Sequence, residues 1–272
     1  MKLHLPGIEA IAADEVVGVW WRRPRRFSFD KAILDPAIRR FCEVNCEHAI
    51  QGFVQNFADR VIDPIFRVEA ANRKLFQLRL AEQCGLKIPP TCVTNDPRTA
   101  RSFIKSQEGH VVYKILRGGE SHYVGTTPLD SAEVGNLNLL RHCPVIFQRF
   151  VEPGFDIRVT VVGDSVFPAK LTSRKPAGRY DIRRDITCKI EEYELPPKVE
   201  GGIRWLTARL GLRFAAVDMR ANRFGEHYFL EVNPTGQYLF VETATNQPIT
   251  AALARLLGNP CPRRKGKTVS GA

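Results

Sequence analysis

Three oxygen-bearing side chains stand on two apolar segments that are separated by a short polar stretch. Asp218 lies in the segment 214–220, and Glu231 and Asn233 lie in the segment 228–234. The stretch between the segments contains an asparagine and a glycine, two residue types that are typical of turns. We therefore predict a β-hairpin that carries all three side chains.

The predicted hairpin brings the three side chains to one place. Folding it symmetrically about the bond between Phe224 and Gly225 sets the two carboxylates opposite each other. Side chains alternate between faces along a strand, so Asn233 shares the face of Glu231. Two carboxylates across a strand pair repel each other by roughly 0.2–1 kcal/mol even in solvent. Carboxylate and amide oxygens are ligands that Mg²⁺ or Mn²⁺ prefers, whereas an ordinary hairpin with one polar face fits these residues equally well.

The composition is that of a globular protein with a marked positive charge. The chain has 272 residues, of which 44% are hydrophobic, and its net charge is +11. No apolar run approaches the length that spans a membrane, and the acidic N-terminal segment lacks a signal-peptide cleavage pattern, so we expect a soluble cytoplasmic protein. The charge suits an anionic partner such as a nucleotide or an acidic peptide. Nucleic acid is a weaker alternative because only the charge supports it.

The cysteines do not predict a disulfide framework, because the chain has seven of them at irregular spacing. Cys42, Cys46 and His48 have a spacing that a metal site could use. No second pair at zinc-finger spacing accompanies them. These residues lie in a segment with helical periodicity, so we interpret the thiols as buried groups on a helix.

The alternation of predicted elements indicates the α+β class. Periodicity and capping residues predict helices at about 35–57, 69–85, 96–107, 199–210 and 248–257. Alternating or continuous apolar runs predict strands at about 16–21, 86–94, 110–116, 145–151, 156–162 and 166–171, besides the hairpin. In the helix 69–85, Leu75, Leu78 and Ala81 form an apolar stripe, and Gly85 occupies the C-terminal cap position.

A lysine and two arginines are further candidates for chemistry. Lys114 stands within an apolar strand and is followed by Gly118 and Gly119, an arrangement that could hold phosphate groups. The alternative is a lysine whose stem is buried and whose ammonium reaches water. Arg158 and Arg183 could hold a phosphate or a carboxylate because the guanidinium fork fits both, although for each alone a surface ion pair is the commoner explanation.

Together these residues resemble the ATP-grasp ligases in order and spacing. The resemblance covers residues from about 67 to 257 and rests on Lys74, Lys114 and the segments 144–151, 156–159 and 229–234. Other segments are similar to signatures of the peptide-maturing branch, the microviridin or graspetide synthetases: 19–24, 94–97, 180–183, 193–196 and 233–239.

The resemblance implies an ATP-grasp fold, in which two α+β subdomains clamp ATP. It implies a truncated α/β pre-grasp region at 1–66, the two ATP-grasp subdomains at 67–143 and 144–260, and a basic tail at 261–272. The first strand motif comes early, near Val16, so we expect the pre-grasp region to lack an opening strand and helix.

The resemblance also implies a role for each matching residue. The ATP-binding residues would be Lys74, Lys114 and Arg183 at the phosphates, Gln148, Arg149, Phe150 and Val151 around adenine, and Asp156 near the ribose. The catalytic residues would be Lys114, Arg158 and Arg183, and the Mg²⁺ ligands would be Asp218, Glu231 and Asn233.

The activity that the resemblance implies is an ADP-forming ligation through an acyl phosphate. The substrate would be an acidic precursor peptide, which gains side-chain ester or amide bonds, or else a small carboxylate. Members of this branch are commonly homodimers, and neither a membrane nor nucleic acid is implied. Two alternatives stay open: a ligase that joins a free amino acid or small acid to an amine, and a regulatory module that binds ATP without turning it over.

Overall fold

The described residues form two antiparallel sheets with helices packed against them, and two short strand pairs near the N-terminus. The structure is a computed structural model that describes residues 2–5, 7–25, 27–117, 125–152 and 154–258. The predicted loop glycines Gly118 and Gly119 and the basic tail, 261–272, lie outside the described residues. The α+β class is confirmed.

The bounds of the elements follow the sequence prediction in most places. The strands are β1 (Lys2–Leu5), β2 (Ile8–Ala12), β3 (Val19–Trp20), β4 (Val61–Ile62), β5 (Thr91–Thr94), β6 (Val111–Lys114), β7 (Thr127–Pro128), β8 (Val145–Arg149), β9 (Gly154–Val162), β10 (Ser165–Thr172), β11 (Lys189–Glu192), β12 (Phe214–Asn222) and β13 (His227–Asn233). The helices are α1 (Pro36–Gln55), α2 (Ile65–Ala71), α3 (Lys74–Gln83), α4 (Pro97–Ser106), α5 (Ser131–Gly135), α6 (Pro197–Leu210), α7 (Leu239–Thr245) and α8 (Ile249–Gly258).

The larger sheet has five strands in the order β11-β10-β9-β12-β13, with every neighbouring pair antiparallel. One face carries fully buried residues such as Val159 and Val217, which pack beneath α3 and α6. Burial of a side chain of this size stabilises the fold by about 1.5–3 kcal/mol. The opposite face is divided: Phe214 and its neighbours pack beneath α7 and α8, whereas the remainder is polar and faces a cavity.

The smaller sheet has the order β5-β8-β6-β7 and is also antiparallel. Its apolar face packs on α4 through the buried residues Ala100, Val111 and Phe147. The N-terminus of α4 is capped by Asp96, whose carboxylate accepts from the amides of Arg98 and Thr99, as the sequence predicts. Lys114, the last residue of β6, lines the cavity that the polar face of the larger sheet also faces.

Helix α1 contains the cysteines that could have suggested a metal site. Asp35 caps the helix by accepting a hydrogen bond from the amide of Ala37. Cys42 and Cys46 are half-buried, and His48 is exposed. The six cysteines in the described part of the chain are all free thiols.

The single helix predicted at 69–85 is wrong, because the structure has two helices, α2 and α3, separated at Asn72 and Arg73. Arg73 adopts an extended conformation, so Lys74 begins α3 instead of lying inside a longer helix. Leu75, which the predicted stripe would bury, is exposed, whereas Gln77 is buried. The predicted cap at Gly85 is present, with a left-handed φ of 74°.

The central hairpin has the predicted pairing of Asp218 with Glu231, but its turn is not the symmetric one. Asn222 and Glu226 close a three-residue loop in which Gly225 has a φ of 78°. This turn alone would pair Asp218 with Leu230. A β-bulge after Asp218 adds one residue to β13 and brings Glu231 into register.

Candidate active site

A cavity of about 760 Å³ lies between the polar face of the larger sheet, the end of β6 and the loop 173–188 that joins β10 to β11. Eight predicted site residues line it: Lys74, Lys114, Asp156, Arg158, Arg183, Asp218, Glu231 and Asn233. Their convergence is what the resemblance to the ATP-grasp ligases implies. Their possible roles as ligands of ATP and metal rest on the geometry described below.

The central strands carry a row of opposed charges across the floor of the cavity. Arg158 on β9 pairs in register with Asp218 on β12, which in turn pairs with Glu231 on β13. Nη1 of Arg158 lies 3.2 Å from Oδ1 of Asp218. The pKa of Asp218 is raised to about 6, chiefly by burial; Arg158 opposes this shift and the neighbouring Glu231 adds to it.

Glu231 is neutralised from the side of helix α3. Nζ of Lys74, the first residue of that helix, donates to Oε2 of Glu231 at 2.7 Å. Burial would raise the pKa of Glu231, but Lys74 and Lys114 together hold the pKa below its ordinary value. The break between α2 and α3 is what gives Lys74 this position at a helix start beside β13.

Gln77 fixes helix α3 to the strand that carries the predicted metal ligands. Its side-chain Nε2 donates to the carbonyl of Val232 at 2.8 Å, and its Oε1 accepts from the amide of Val232 at 2.9 Å. Val232 lies between Glu231 and Asn233, and β13 is the edge strand of its sheet. The amide thus satisfies an edge that would otherwise have unpaired backbone groups.

The donor set formed by Asp218, Glu231 and Asn233 fits a hard divalent cation. Two carboxylates in adjacent register positions repel, and one of them has a raised pKa, so a cation between them would relieve both effects. Oδ1 of Asn233 accepts from the amide of Thr235 at 3.0 Å, which orients the oxygen. The described residues contain no group of three His, Cys, Asp or Glu suited to a metal, and this candidate set has two carboxylates and one amide.

Lys114 faces the carboxylates from the opposite sheet. Its Nζ donates to Oε1 of Gln148 at 2.8 Å, and Gln148 is itself held by donating to Oγ1 of Thr91. The pKa of Lys114 is lowered to about 8, chiefly by burial; Glu231 opposes this shift and Lys74 adds to it. A lysine with a lowered pKa in a cavity is a strong candidate for a group that contacts an anion.

The loop 173–188 presents Arg183 to the cavity. Nε and Nη2 of Arg183 donate to the two carboxylate oxygens of Asp181 at 2.7 and 2.8 Å, in a fork-to-fork arrangement. Asp185 holds the loop by accepting from Ser173 and Thr187, and these hydrogen bonds keep the pKa of its carboxyl well below the ordinary value. The loop is therefore ordered by its own carboxylates.

The segment predicted to surround adenine contacts two different parts of the molecule. Gln148 reaches Lys114, whereas Arg149, Phe150 and Val151 line a smaller cavity of about 340 Å³. Asp156 lies in the large cavity and pairs with Arg220, whose Nη1 is 2.8 Å from its Oδ1. Recognition of adenine by the backbone of this segment stays a prediction, as does the position of Asp156 near the ribose.

Sequence reasoning missed three residues that shape the cavity. Arg23 lines it from the N-terminal segment, Asp181 holds Arg183, and Gln77 fixes β13. Arg23 lies within the segment 19–24, for which the sequence predicts only a similarity to the peptide-maturing branch. The spacing of the other two gives no sign of their partners, which come from the tertiary fold.

Comparisons with known proteins agree with this geometry. Macrocyclase MdnC of Microcystis aeruginosa MRC, solved with the precursor peptide MdnA, shares 30% identity and a TM-score of 0.83, covering 93% of this chain and 81% of that one. A RiPP-associated ATP-grasp ligase of Chryseobacterium gregarium, solved with ADP and a leader and core peptide, shares 25% identity and a TM-score of 0.84, covering 94% and 83%.

A more distant relative is the probable alpha-L-glutamate ligase of Syntrophotalea carbinolica. It is 26% identical over 196 residues, and the match spans 70% of this chain but only 64% of that relative. No family model matches the sequence.

The chain belongs to the RiPP-associated ATP-grasp ligases, where RiPP denotes a ribosomally made peptide that enzymes then modify. The ATP-grasp fold predicted from the sequence is thereby confirmed, whereas the predicted subdomain boundaries stay predictions. Within the described ranges, no helix is both long and apolar enough to cross a membrane.

Proposed function

We propose that this protein is an ADP-forming ligase that activates a carboxylate of a ribosomally made, acidic peptide and joins it to a hydroxyl or amine of the same peptide. The observation that carries the proposal is the convergence of Lys74, Lys114 and Arg158 on the Asp218–Glu231 pair within one cavity. Three cations around a carboxylate pair suit a triphosphate with its divalent metal.

Each side of the cavity has a separate task in this proposal. Asp218, Glu231 and Asn233 would hold Mg²⁺ or Mn²⁺, which supplies charge neutralisation for the phosphates. Lys114 would contact a phosphate, and Lys74, which donates to Glu231 in the free chain, would also contact a phosphate oxygen. Arg158 and Arg183 would stabilise the negative charge that develops on the transferring phosphoryl group.

The bond changes follow from these positions. An oxygen of the substrate carboxylate attacks the γ-phosphorus of ATP, and the bond to ADP breaks, which gives an acyl phosphate. The hydroxyl or amine then attacks the acyl carbon, loses its proton, and phosphate leaves. The product peptide is lighter by one water for each bond. No described side chain needs to form a covalent intermediate, so positioning and charge carry the catalysis.

A second candidate is a ligase that joins a free amino acid to an amine. Its support is the 26% identity with the probable alpha-L-glutamate ligase. The two candidates share the ATP machinery and differ in the product. A peptide that is closed on itself loses water, whereas a conjugate gains the mass of the added amino acid.

The test uses the purified chain with Mg²⁺, ATP and a short synthetic peptide rich in Thr, Asp and Glu. We expect release of ADP that requires both Mg²⁺ and the peptide, and a product that is lighter by whole numbers of water molecules in mass spectrometry. A parallel reaction contains free glutamate in place of the peptide. ADP formed only with glutamate would favour the second candidate, and tight ATP binding without ADP in either reaction would contradict both.

A further inference from the structure

Arg23 reaches the large cavity from a part of the chain that lies before both ATP-grasp sheets. It follows β3 and lines the cavity together with Arg158, Asn233 and Gln237. Its Nε donates to the carbonyl of Thr235 at 2.9 Å, which fixes the guanidinium beside the loop that follows β13. Among the described residues, neither terminal nitrogen of Arg23 has a hydrogen-bond or ion-pair partner.

The backbone at Arg23 is held in a conformation that few residues adopt. Its φ is 45°, in the left-handed region, which is strained for a residue with a side chain. The preceding Arg22 stabilises this turn, because its guanidinium lies 5.0 Å from the ring of Trp20 and 5.9 Å from that of Tyr238. Strained positions of this kind cluster at functional sites.

Arg158 provides a second guanidinium in the same cavity, and part of it is buried without a hydrogen-bond partner among the described residues. Its Nε and Nη1 are buried and make no hydrogen bond within the described chain, although Nη1 lies in an ion pair with Asp218. Buried arginine nitrogens without acceptors are costly, so an anion at this point would stabilise them. Burial and the charges of Arg22 and Arg158 lower the pKa of Arg23, as expected where like charges converge.

We propose that Arg23 and Arg158 together form a carboxylate site that receives the acidic side chain to be activated, and that Arg23 is the residue that selects an acid over its amide. The proposal rests on the proposed function for the presence of ATP beside this site. The paired nitrogens of a guanidinium donate to the two oxygens of a carboxylate. An amide has one such oxygen and no negative charge, so it binds a guanidinium less well.

The position of Arg23 favours a carboxylate of the second substrate over a phosphate of ATP. Lys74, Lys114 and Arg183 already surround the carboxylate pair that would hold the metal and its phosphates. Arg23, on the N-terminal segment of the chain, is exposed at the rim of the cavity. It contacts the loop that follows Asn233. A substrate that enters from solvent therefore meets Arg23 before it meets Arg158.

The experiment measures binding of a small probe, so it does not depend on turnover. The probe is N-acetyl-L-glutamate N-methylamide, and its uncharged counterpart is the corresponding glutamine compound. Ligand-observed NMR titrations are made with the full chain, with and without Mg²⁺ and a non-hydrolysable ATP analogue. The variants are R23Q and R23K, and R25Q is the matched control because Arg25 is exposed two residues further on and does not line the cavity.

We expect the unaltered chain and R25Q to bind the acid about ten- to a hundredfold more tightly than the amide. R23Q should lose this preference while its affinity for the ATP analogue changes less than about twofold, and R23K should lie between them. An unaltered chain without the preference, or an R23Q variant that keeps it, overturns the proposal.

The failures of the two proposals are distinguishable. An R23Q variant that loses affinity for the ATP analogue but not for the acid would assign Arg23 to a phosphate and also overturn the inference. An unaltered chain that binds the acid through Arg23 but shows no affinity for the ATP analogue would instead contradict the proposed function. Thermal unfolding at the same midpoint in R23Q and R25Q checks that both variants are folded.

Discussion

The two cavities contain similar residue types, but their charges are compensated in different ways. In the large cavity, Asp218 has a raised pKa and Lys114 a lowered one, so burial makes the ionised form of each unfavourable. In the small cavity, Glu226 accepts hydrogen bonds from Lys87, Asn222 and Tyr228, which lower its pKa to about 2. Its ionised form is therefore already satisfied.

This difference separates a site prepared for a ligand from a polar surface that is complete without one. Burial of incompletely compensated charge is costly, and proteins retain it mainly where a ligand supplies the missing counter-charge. The exposed ion pair of Glu226 with Lys87, at 2.7 Å, needs no such ligand. The predictions below change one cavity at a time, or the residues between them.

The largest effect should follow from removing both carboxylates of the central hairpin. The variant D218N/E231Q keeps the shapes of the side chains but loses the two negative charges that would hold the metal. We expect the rate of ADP formation at saturating ATP to fall at least about a thousandfold, because charge stabilisation of the transferring group is lost. A rate within tenfold of the unaltered chain, with an unchanged circular dichroism spectrum, would contradict the assignment of these residues.

The next effect concerns the ion pair that separates the two cavities. Arg220 donates from Nη1 to Asp156 and from Nε to the carbonyl of Val151, and its guanidinium lies 4.9 Å from the ring of Phe150. Burial raises the pKa of Asp156, and Arg220 opposes this. The variant R220M leaves the carboxylate unpaired, so we expect the free energy of unfolding to fall by about 3 kcal/mol in urea titrations.

A double variant sharpens this expectation. Replacing both partners, in R220M/D156N, removes the unpaired charge and should recover part of the loss. The coupling is specific to the buried pair, so the pair Lys87–Glu226 should show no comparable coupling in the same titrations. Equal stabilities of R220M and the unaltered chain would mean that solvent reaches Asp156.

A smaller, pH-dependent effect should identify Lys114 as a phosphate contact. In the free chain Lys114 has a pKa of about 8. A bound phosphate favours the charged form and raises that pKa, so the complex holds a proton that the free chain releases above pH 8. Affinity for the ATP analogue should therefore decrease as the pH rises above 8, by up to about tenfold for each pH unit, in calorimetric titrations.

The variant K114R is the control for this pH dependence, because an arginine stays charged throughout the range. The affinity of K114R for the ATP analogue should vary little between pH 7.5 and 9, and proton uptake on binding should disappear. The pKa of Asp218 lies near 6, so its titration is complete before this range begins. A K114R variant with the same pH dependence as the unaltered chain would assign the titration to another group.

The features that could be predicted from the sequence are those set by local chemistry. The caps at Asp35 and Asp96 follow from side chains that accept from amides two or three residues ahead. The pairing of Asp218 with Glu231 can be predicted from the alternation of side chains along each strand and from the turn residues. The structure produces this register through the bulge and not through a symmetric turn. Bulges lack a sequence signal as strong as that of a turn.

The features that could not be predicted depend on contacts between distant segments. No proline or glycine marks the break at Asn72 and Arg73, and local propensity favours one continuous helix. The break is set by packing, because Gln77 must reach the backbone of Val232 on an edge strand. Arg23 enters the cavity through a turn that is stabilised by Trp20 and Tyr238, which are far apart in the sequence.

The smallest effect is expected in the small cavity, where E226Q tests the comparison directly. The charged partner of Glu226 is the exposed Lys87, and surface ion pairs contribute little because water and salt screen them. ADP formation and the affinity for the ATP analogue should both change less than about twofold. The variant matches E231Q chemically, since each replaces a lysine-paired glutamate on or beside β13 by its amide. If E226Q lowered the ATP affinity as much as E231Q does, the small cavity would belong to the nucleotide site, and compensated charge would no longer distinguish the two.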